Sequence, residues 1–321
     1  MNKFGKKFVV EVFGESHGES IGVIVDGMKP GIKVNYDLIN ADLERRRPKR
    51  VGETKRVETD LYTIESGIYE GITTGTPLLV RIPNMNIKSK DYDFKDMPRP
   101  SHTDYVSMVK YGRIYPGSGH FSGRITAGIV VAGSLAKMMF PYEIETKFLK
   151  VGNKKDNEDL DSYIEKISAQ GNSVGAILKV TVKGVPAGLG EPFFDSVESV
   201  VSAMLYSIPS VKGVSFGVGF SGISLLGSEY NDPIINEKGE TKTNNSGGIN
   251  GGITNGNDLI INVFMRPASS ISVPQEVYSF KTKRLETLEI KGRHDAFFQR
   301  RAVVVVENAI MIALADLNLR V

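Results

Sequence analysis

Alternating strand-like and helix-like runs predict a single domain of α/β or α+β class. Three observations carry that prediction. Both halves of the chain mix short β-branched runs with amphipathic helical ones. No low-complexity linker parts the halves. Hydrophobic residues make up 40% and charged residues 24%, ordinary usage for a globular chain, and 321 residues suffice for a large core.

The elements follow in order. "FVVEVF" (8–13) and "IGVIVDG" (21–27) read as strands, with "FGESHG" as a tight strand-to-strand turn between them. "NYDLINADLERRRP" (35–48) reads as a helix that Asn35 caps, Leu38, Ile39 and Leu43 stripe, and Pro48 stops. "GTPLLVRIP" (75–83) is a third strand. "SHTDYVSMVKYG" (101–112) is a helix with Ser101 as N-cap, which puts His102 in its first turn and Asp104 at the capping-box position. "SGRITAGIVVAGSLAKMMF" (122–140) is apolar almost all round, hence a buried helix, and its Gly128 and Gly133 signal close packing. In the second half, helices are predicted at 159–171, 195–208 and 300–317, and strands at 173–185, 212–222 and 258–267. Stretches 84–100 and 228–257 read as loops, long enough to be functional.

Composition narrows the chemistry. There is no cysteine, so disulfides, thiolate nucleophiles and Cys-ligated metals are excluded, which agrees with a cytoplasmic location. No apolar run approaches the roughly 20 residues of a membrane span, and no signal peptide is apparent. The four histidines, at 17, 102, 120 and 294, lack metal-ligand spacing, so no metal site is expected. Net charge is only +3, but seven of the twelve residues at 45–56 are basic. A local cluster of this kind suits a phosphorylated small molecule or a polyanion. A nucleic-acid partner would leave the histidines without a role, and no aromatic RNA-recognition motif is present.

Four constellations can carry reactions. In "GESHG", His17 sits at a turn where it can exchange a proton near neutral pH, or simply bond to backbone. The same five residues match the Gly-x-Ser-x-Gly pattern of serine hydrolases, but a strand follows where a nucleophile elbow needs a helix. The arginines of "RRRPKR" (45–50) can grip phosphate or carboxylate with their forks, or merely complement a helix C-terminus. "RPSHTDY" (99–105) gathers Arg99, His102 and Asp104, as an anion site or as a cap. In "KGRHDAFFQRR" (291–301), Asp295 is a general base or an Arg-paired cap. The glycine run "NNSGGINGGITNG" (244–256) allows close approach of backbone to a ligand but is neither a Walker loop nor a Rossmann fingerprint.

Taken in order, these motifs resemble the chorismate synthase family, from about residue 8 to the end of the chain. The resemblance rests on "FGESHGESIGVIVDGMKPG", "DLERRRP", "RPSHTDY", "GHFSGRITAGIVVAGSL", "VKGVSFGVGF", "NNSGGINGGITNG", "RPASSI" and "KGRHD". It implies an α+β fold, a single-domain β-α-β sandwich over residues 1–321 with internal pseudo-symmetry, assembled as a homotetramer. It also implies anti 1,4-elimination of phosphate from 5-enolpyruvylshikimate 3-phosphate to give chorismate. That reaction needs reduced FMN without net redox change, and NADPH is the candidate reductant.

Site residues follow by motif. His17 resembles the acid at the departing phosphate, with Ser16 as its substrate-bonding neighbour. His102 resembles the histidine that protonates or hydrogen-bonds the reduced flavin, and Asp295 the carboxylate that works in proton removal. Arg45, Arg46 and Arg50 resemble phosphate- or NADP-binding residues. The flavin set is His120, Phe121, Ser122, Arg124, Gly251, Arg266, Pro267, Ala268, Ser269, Ser270 and Arg293. Two departures from the family pattern stand out: Ala296 and Phe297 follow "RHD", where proline and a small residue are common, and Arg266 replaces a common lysine.

Overall fold

The apolar runs on either side of "GESHG" form neighbouring antiparallel strands, β1 (Val9–Gly14) and β2 (Ser20–Asp26), with Val10 opposite Val25 and Val12 opposite Val23. The computed structural model describes residues 2–50, 52–53, 58–85, 94–155, 159–291 and 294–321. Helix α1 (Tyr36–Arg45) follows, and the Asn35 side chain accepts from the Leu38 amide at 3.0 Å, the cap that the sequence predicts. Strands β3 (Thr63–Ser66) and β4 (Leu78–Pro83) complete an antiparallel sheet in the order Lys3–Phe4, β1, β2, β4, β3.

After helices α2 (Asp104–Tyr111) and α3 (Thr126–Met139), the chain builds a second five-stranded antiparallel sheet. Its strands and helices are β5 (Glu143–Val151), α4 (Leu160–Ala169), β6 (Ala176–Lys183), α5 (Val197–Tyr206), β7 (Val211–Phe216) and β8 (Leu259–Met265). The order is β7, β8, β6, β5, Lys154–Lys155. A hairpin of β9 (Gln275–Ser279) and β10 (Arg284–Leu288) precedes the last helix, α6 (Gln299–Asn318).

The long helices fill the space between the sheets. Helix α3 packs on β2, α6 packs on α3, β5 and β6, and α5 packs on α6 and β7. This is the sheet–helix–sheet sandwich expected of the α+β class, and each half of the chain supplies one sheet. One continuous apolar core runs from Phe8 to Leu317 through both sheets. Every residue of α3 from Thr126 to Ala136 is buried, as its all-round apolar surface demands. Gly133 explains how α3 meets α6 so closely. A Cβ there would lie 2.5 Å from the Asn308 carbonyl oxygen and 2.6 Å from its Cα.

Two buried carboxylates tie the layers. Asp42 of α1 accepts from Ser134 Oγ at 3.0 Å, Lys137 Nζ at 2.6 Å and Asn308 Nδ2 at 3.2 Å, so one side chain joins three helices. Burial opposes its charge, yet Lys137 and these donors hold its carboxyl below the usual range. Asp316 of α6 accepts from the backbone amides of Lys6, Lys7 and Phe8 at 2.8, 2.6 and 3.0 Å, fixing the start of β1 to the last helix.

Some local expectations change. Ser101 does not cap α2. The helix starts at Asp104, with Thr103 before it and no side-chain cap bond. The Asp104 carboxylate is drawn back instead to the Arg99 amide and guanidinium, so His102 precedes the helix rather than lying in its first turn. The 228–257 stretch carries structure: a helical turn at Gly227–Tyr230 and a small hairpin, Ile249–Asn250 with Ile253–Thr254. Of the predicted loop 84–100, residues 86–93 lie outside the described residues. The strand β5 and the β9–β10 hairpin have no counterpart in the sequence reading.

Gly133→Ala should destabilise the protein by about 1–3 kcal/mol through overpacking against Asn308. Urea unfolding reads this as a lower midpoint with an unchanged slope, and an unchanged midpoint would show that the α3–α6 contact yields freely.

Candidate active site

The "GESHG" turn is rigid because three neighbours hold its backbone. Asn84, just past β4, donates from Nδ2 to the Glu15 and Gly18 carbonyls at 2.9 and 2.8 Å. The Ser16 amide donates to the Gly119 carbonyl at 3.1 Å. His120 donates from Nδ1 to the Gly14 carbonyl at 2.8 Å. Ser16 itself is fully buried. His17 is half-buried, and its ring edge lies over Gly117, where a Cβ would stand 2.5 Å from Nε2. Gly117 has φ +59, so both its backbone angle and the ring above it call for glycine.

The next residue in that loop, Ser118, reaches the second histidine. Its Oγ lies 3.3 Å from His102 Nε2, and its own φ of +68 is unusual outside glycine. One two-residue segment therefore touches both His17 and His102. The other nitrogen of His102, Nδ1, donates to Asp104 Oδ1 at 2.8 Å. Arg99 grips both oxygens of Asp104, from Nε and Nη2, at 2.7 Å each. Burial would raise the Asp104 carboxyl, but Arg99 and His102 hold it well below the usual carboxylate range.

A buried arginine group lies beside the turn. Arg124 donates from Nε to Asn84 Oδ1 at 3.0 Å and from Nη1 to Asp60, so Asn84 links the turn to Asp60. Asp60 also takes Arg46 Nη1 at 3.0 Å. Arg46 further donates from Nη2 to the Gly123 carbonyl at 3.0 Å. Burial pushes the Arg46 guanidinium down to about 10; Asp60 opposes this, and the nearby charges of Arg124 and Arg301 add to it. Arg301 pairs with Asp295, which brings the "RHD" carboxylate to the same group. The Nε of Arg301 is buried without a hydrogen-bond partner, a donor suited to an anion. Asp295 is thus Arg-paired but not an N-cap, since Phe298 holds that position.

The flavin-assigned residues divide. Arg266 donates to the Pro267 carbonyl at 2.9 Å and to the Ser101 carbonyl at 3.3 Å, joining its loop to the segment that carries His102. Ser173 Oγ donates to the Ala268 carbonyl, and the Ser270 carbonyl lies 3.1 Å from His294 Nδ1, so this loop also meets "RHD". Ser269 lies half-buried between them. Phe121 packs edge-on to Tyr111, and Ser122 caps the turn at Arg124. His120 and Arg124 act as scaffold, with both ring nitrogens of His120 facing protein acceptors. Gly251 is an exposed hairpin tip whose neighbour Gly252 accepts from the Val197 amide, and the hairpin's backbone bonds run to the region of Leu189 and Val197. Arg293 lies outside the described residues.

The basic cluster divides too. Arg45 turns to Glu307 at 2.7 Å and Asp42 at 3.3 Å, on the helical layer. Arg50 is exposed, with its backbone amide on Glu53. Lys55 and Arg56 lie outside the described residues. Phe297 is fully buried against Val151, Ile164, Val174 and Ala176, so this departure from the family pattern forms a small core rather than a pocket wall. Sequence reasoning missed Asp60, Asn84, Ser118 and Arg301. Among the described residues no group of three or more His, Asp or Glu side chains is placed to hold a metal ion.

Two histidines that border one loop, beside buried guanidinium groups and an Arg-paired carboxylate, make a candidate site suited to acid–base chemistry on a small anionic substrate. Comparison with known proteins specifies it. The family model described as "Chorismate synthase" matches residues 8–319. The chain is 43% identical to the chorismate synthase of Chitinophaga pinensis, over 99% of this chain and 97% of that one. It is 36% identical to that of Thermococcus kodakarensis, over 98% and 97%. A crystal structure of chorismate synthase superposes with a TM-score of 0.76 at 24% identity, covering 98% of this chain and 93% of the other, and shows the same fold. The chain belongs to the chorismate synthase family, whose members are carbon–oxygen lyases.

Asp60→Ala leaves two buried arginines without their shared carboxylate, and a loss of about 3–5 kcal/mol in unfolding free energy is expected. A loss below about 1 kcal/mol, the level of an exposed pair, would show that the cage does not support the turn.

Proposed function

We propose that this protein eliminates phosphate from 5-enolpyruvylshikimate 3-phosphate to give chorismate, by an anti 1,4-elimination with reduced FMN bound. One observation carries the reading: Gly117 and Ser118 bring His17 and His102 to one loop, beside the Arg46, Arg124 and Arg301 group. Family membership supplies the reaction. The donor set suits both ligands. A guanidinium donor without a partner, Arg301 Nε, suits the anionic substrate. Arg266 reaches the Ser101 carbonyl of the His102 segment, and the loop it heads meets Ser173 and His294, a cation and polar edge suited to FMN. Phe121 and Ser122 complete that set, with His120 and Arg124 holding it from behind; Gly251, on the hairpin bonded toward Leu189 and Val197, is assigned to FMN by the family resemblance alone.

When bound, reduced FMN supplies an electron that is lent and recovered within one turnover. The protein's own groups do the rest. His17, on a turn that cannot shift, protonates the departing phosphate. The surrounding guanidinium charge stabilises negative charge developing on that group. Asp295, held in place by its pairing with Arg301, takes up the substrate proton. His102 hydrogen-bonds the cofactor edge. Arg46 and Arg124 act on the substrate mainly by fixing the walls, because Asp60 and backbone carbonyls engage their forks. Arg45 and Arg50 are assigned to the approach of phosphate or NADPH, and NADPH to cofactor reduction. A homotetramer in a cytoplasmic setting completes the reading; no described helix is long and apolar enough to cross a membrane.

The test is anaerobic turnover with purified protein. Phosphate and chorismate should appear in equal amounts with reduced FMN and not with oxidised FMN. Absence of phosphate from folded protein with both ligands present overturns the reading. His17→Ala should lower kcat by about 10²–10⁴-fold while folding and FMN binding persist. Near-normal turnover in that variant removes the proton-donor role.

A further inference from the structure

Asp104 is read from sequence as the capping-box partner of Ser101, yet Ser101 caps no helix and Asp104 is the first helical residue. It is 1% exposed and receives four donors: Arg99 Nε at 2.7 Å and the Arg99 amide at 3.2 Å on Oδ2, and Arg99 Nη2 at 2.7 Å and His102 Nδ1 at 2.8 Å on Oδ1. Arg99 is itself held over the Phe94 ring, 4.3 Å from its centroid. An ionised carboxylate only accepts, so the imidazole proton facing it must sit on Nδ1. Thr103 Oγ1, at 3.4 Å, is the more distant neighbour of that nitrogen.

We propose that Asp104, clamped by Arg99, is a positioning residue that fixes His102 as the Nδ1–H tautomer and so presents Nε2 to the site. This rests on the reading of His102 given above. In the structure Ser118 Oγ stands at Nε2, 3.3 Å away, on the loop that also carries Gly117 beneath His17. Nε2 is therefore the atom offered toward the shared space between the histidines, and its protonation state is set from behind. Neutral His102 accepts there, and protonated His102 donates from the same atom without turning the ring. The arrangement follows the general logic by which a buried carboxylate selects an imidazole tautomer.

Asp104→Asn tests this with a defined geometric bias. If the amide NH2 took the Oδ2 place it would face two Arg99 donors, but in the Oδ1 place it would face only Arg99 Nη2, and it would then donate to His102. The favoured orientation forces the opposite tautomer. The measurement is a long-range proton–nitrogen correlation spectrum of the full chain with 15N-labelled histidine, at a pH where the ring is neutral, with His102→Gln as the assignment control. Wild-type protein should show the unprotonated signal at Nε2. In Asp104→Asn it should move to Nδ1, with the signals of His17, His120 and His294 in place and kcat lowered about 10²-fold. Asp104→Glu, which restores a carboxylate, should return the wild-type tautomer and part of the turnover.

An Nε2–H tautomer in wild-type protein overturns the proposal without any variant, so misfolding of Asp104→Asn does not shield it. An unchanged tautomer in folded Asp104→Asn, or a switched tautomer with wild-type kcat, overturns it as well. The spectrum needs neither flavin nor substrate, so its outcome is separable from that of the phosphate-release assay.

Discussion

The carboxylate of Asp60 is the point on which the site depends. It is 4% exposed and carries two guanidinium groups, from Arg46 and Arg124. Charges taken this far from water persist only when paired and hydrogen-bonded. Each arginine therefore stays where Asp60 places it, and each then places something else. Arg124 fixes Asn84, and Asn84 fixes two carbonyls of the "GESHG" turn. Arg46 ties the end of α1 to the start of α3. The position of His17 thus traces back through two side chains, Asn84 and Arg124, to one carboxylate.

The same economy of parts recurs at the second histidine. Arg99, Asp104 and His102 lie within six residues of sequence, so their mutual geometry is local and needs little help from the rest of the fold. What the fold supplies is their place beside His17, through the segment before α3. That segment is anchored at both sides: Gly119 and His120 bond to the turn, and Arg124 enters the cage. Rigid backbone on two sides allows non-glycine residues such as Ser118 to keep a left-handed conformation.

Much of this was legible in the amino-acid order, and the division has a physical basis. Periodicity identified α1, α3 and α6, because an apolar stripe or an all-apolar surface is a local property. The Asn35 cap and the close-packing role of Gly133 were readable for the same reason. His17, His102 and Asp295 were visible as unusual residues at turns and element ends. Ser101 was misassigned because a local capping pattern competed with Arg99, which draws Asp104 backward with two charge-assisted bonds. Asp60 and Asn84 were invisible because their partners lie 64 and 40 residues away, where nothing local marks them. Strand β5 went unread although its exposed and half-buried residues alternate along "EIETKF".

The bond between Asp316 and the amides of residues 6–8 has a further meaning in time. It spans as many as 310 residues, nearly the whole length of the chain. During synthesis the first strand is made long before the helix that anchors it. The turn bearing His17 follows directly from that strand, so its final setting waits for the last helix to be translated. A chain interrupted before that helix would lack the carboxylate that fastens its first strand. Completion of the polypeptide and completion of the site are in this sense one event.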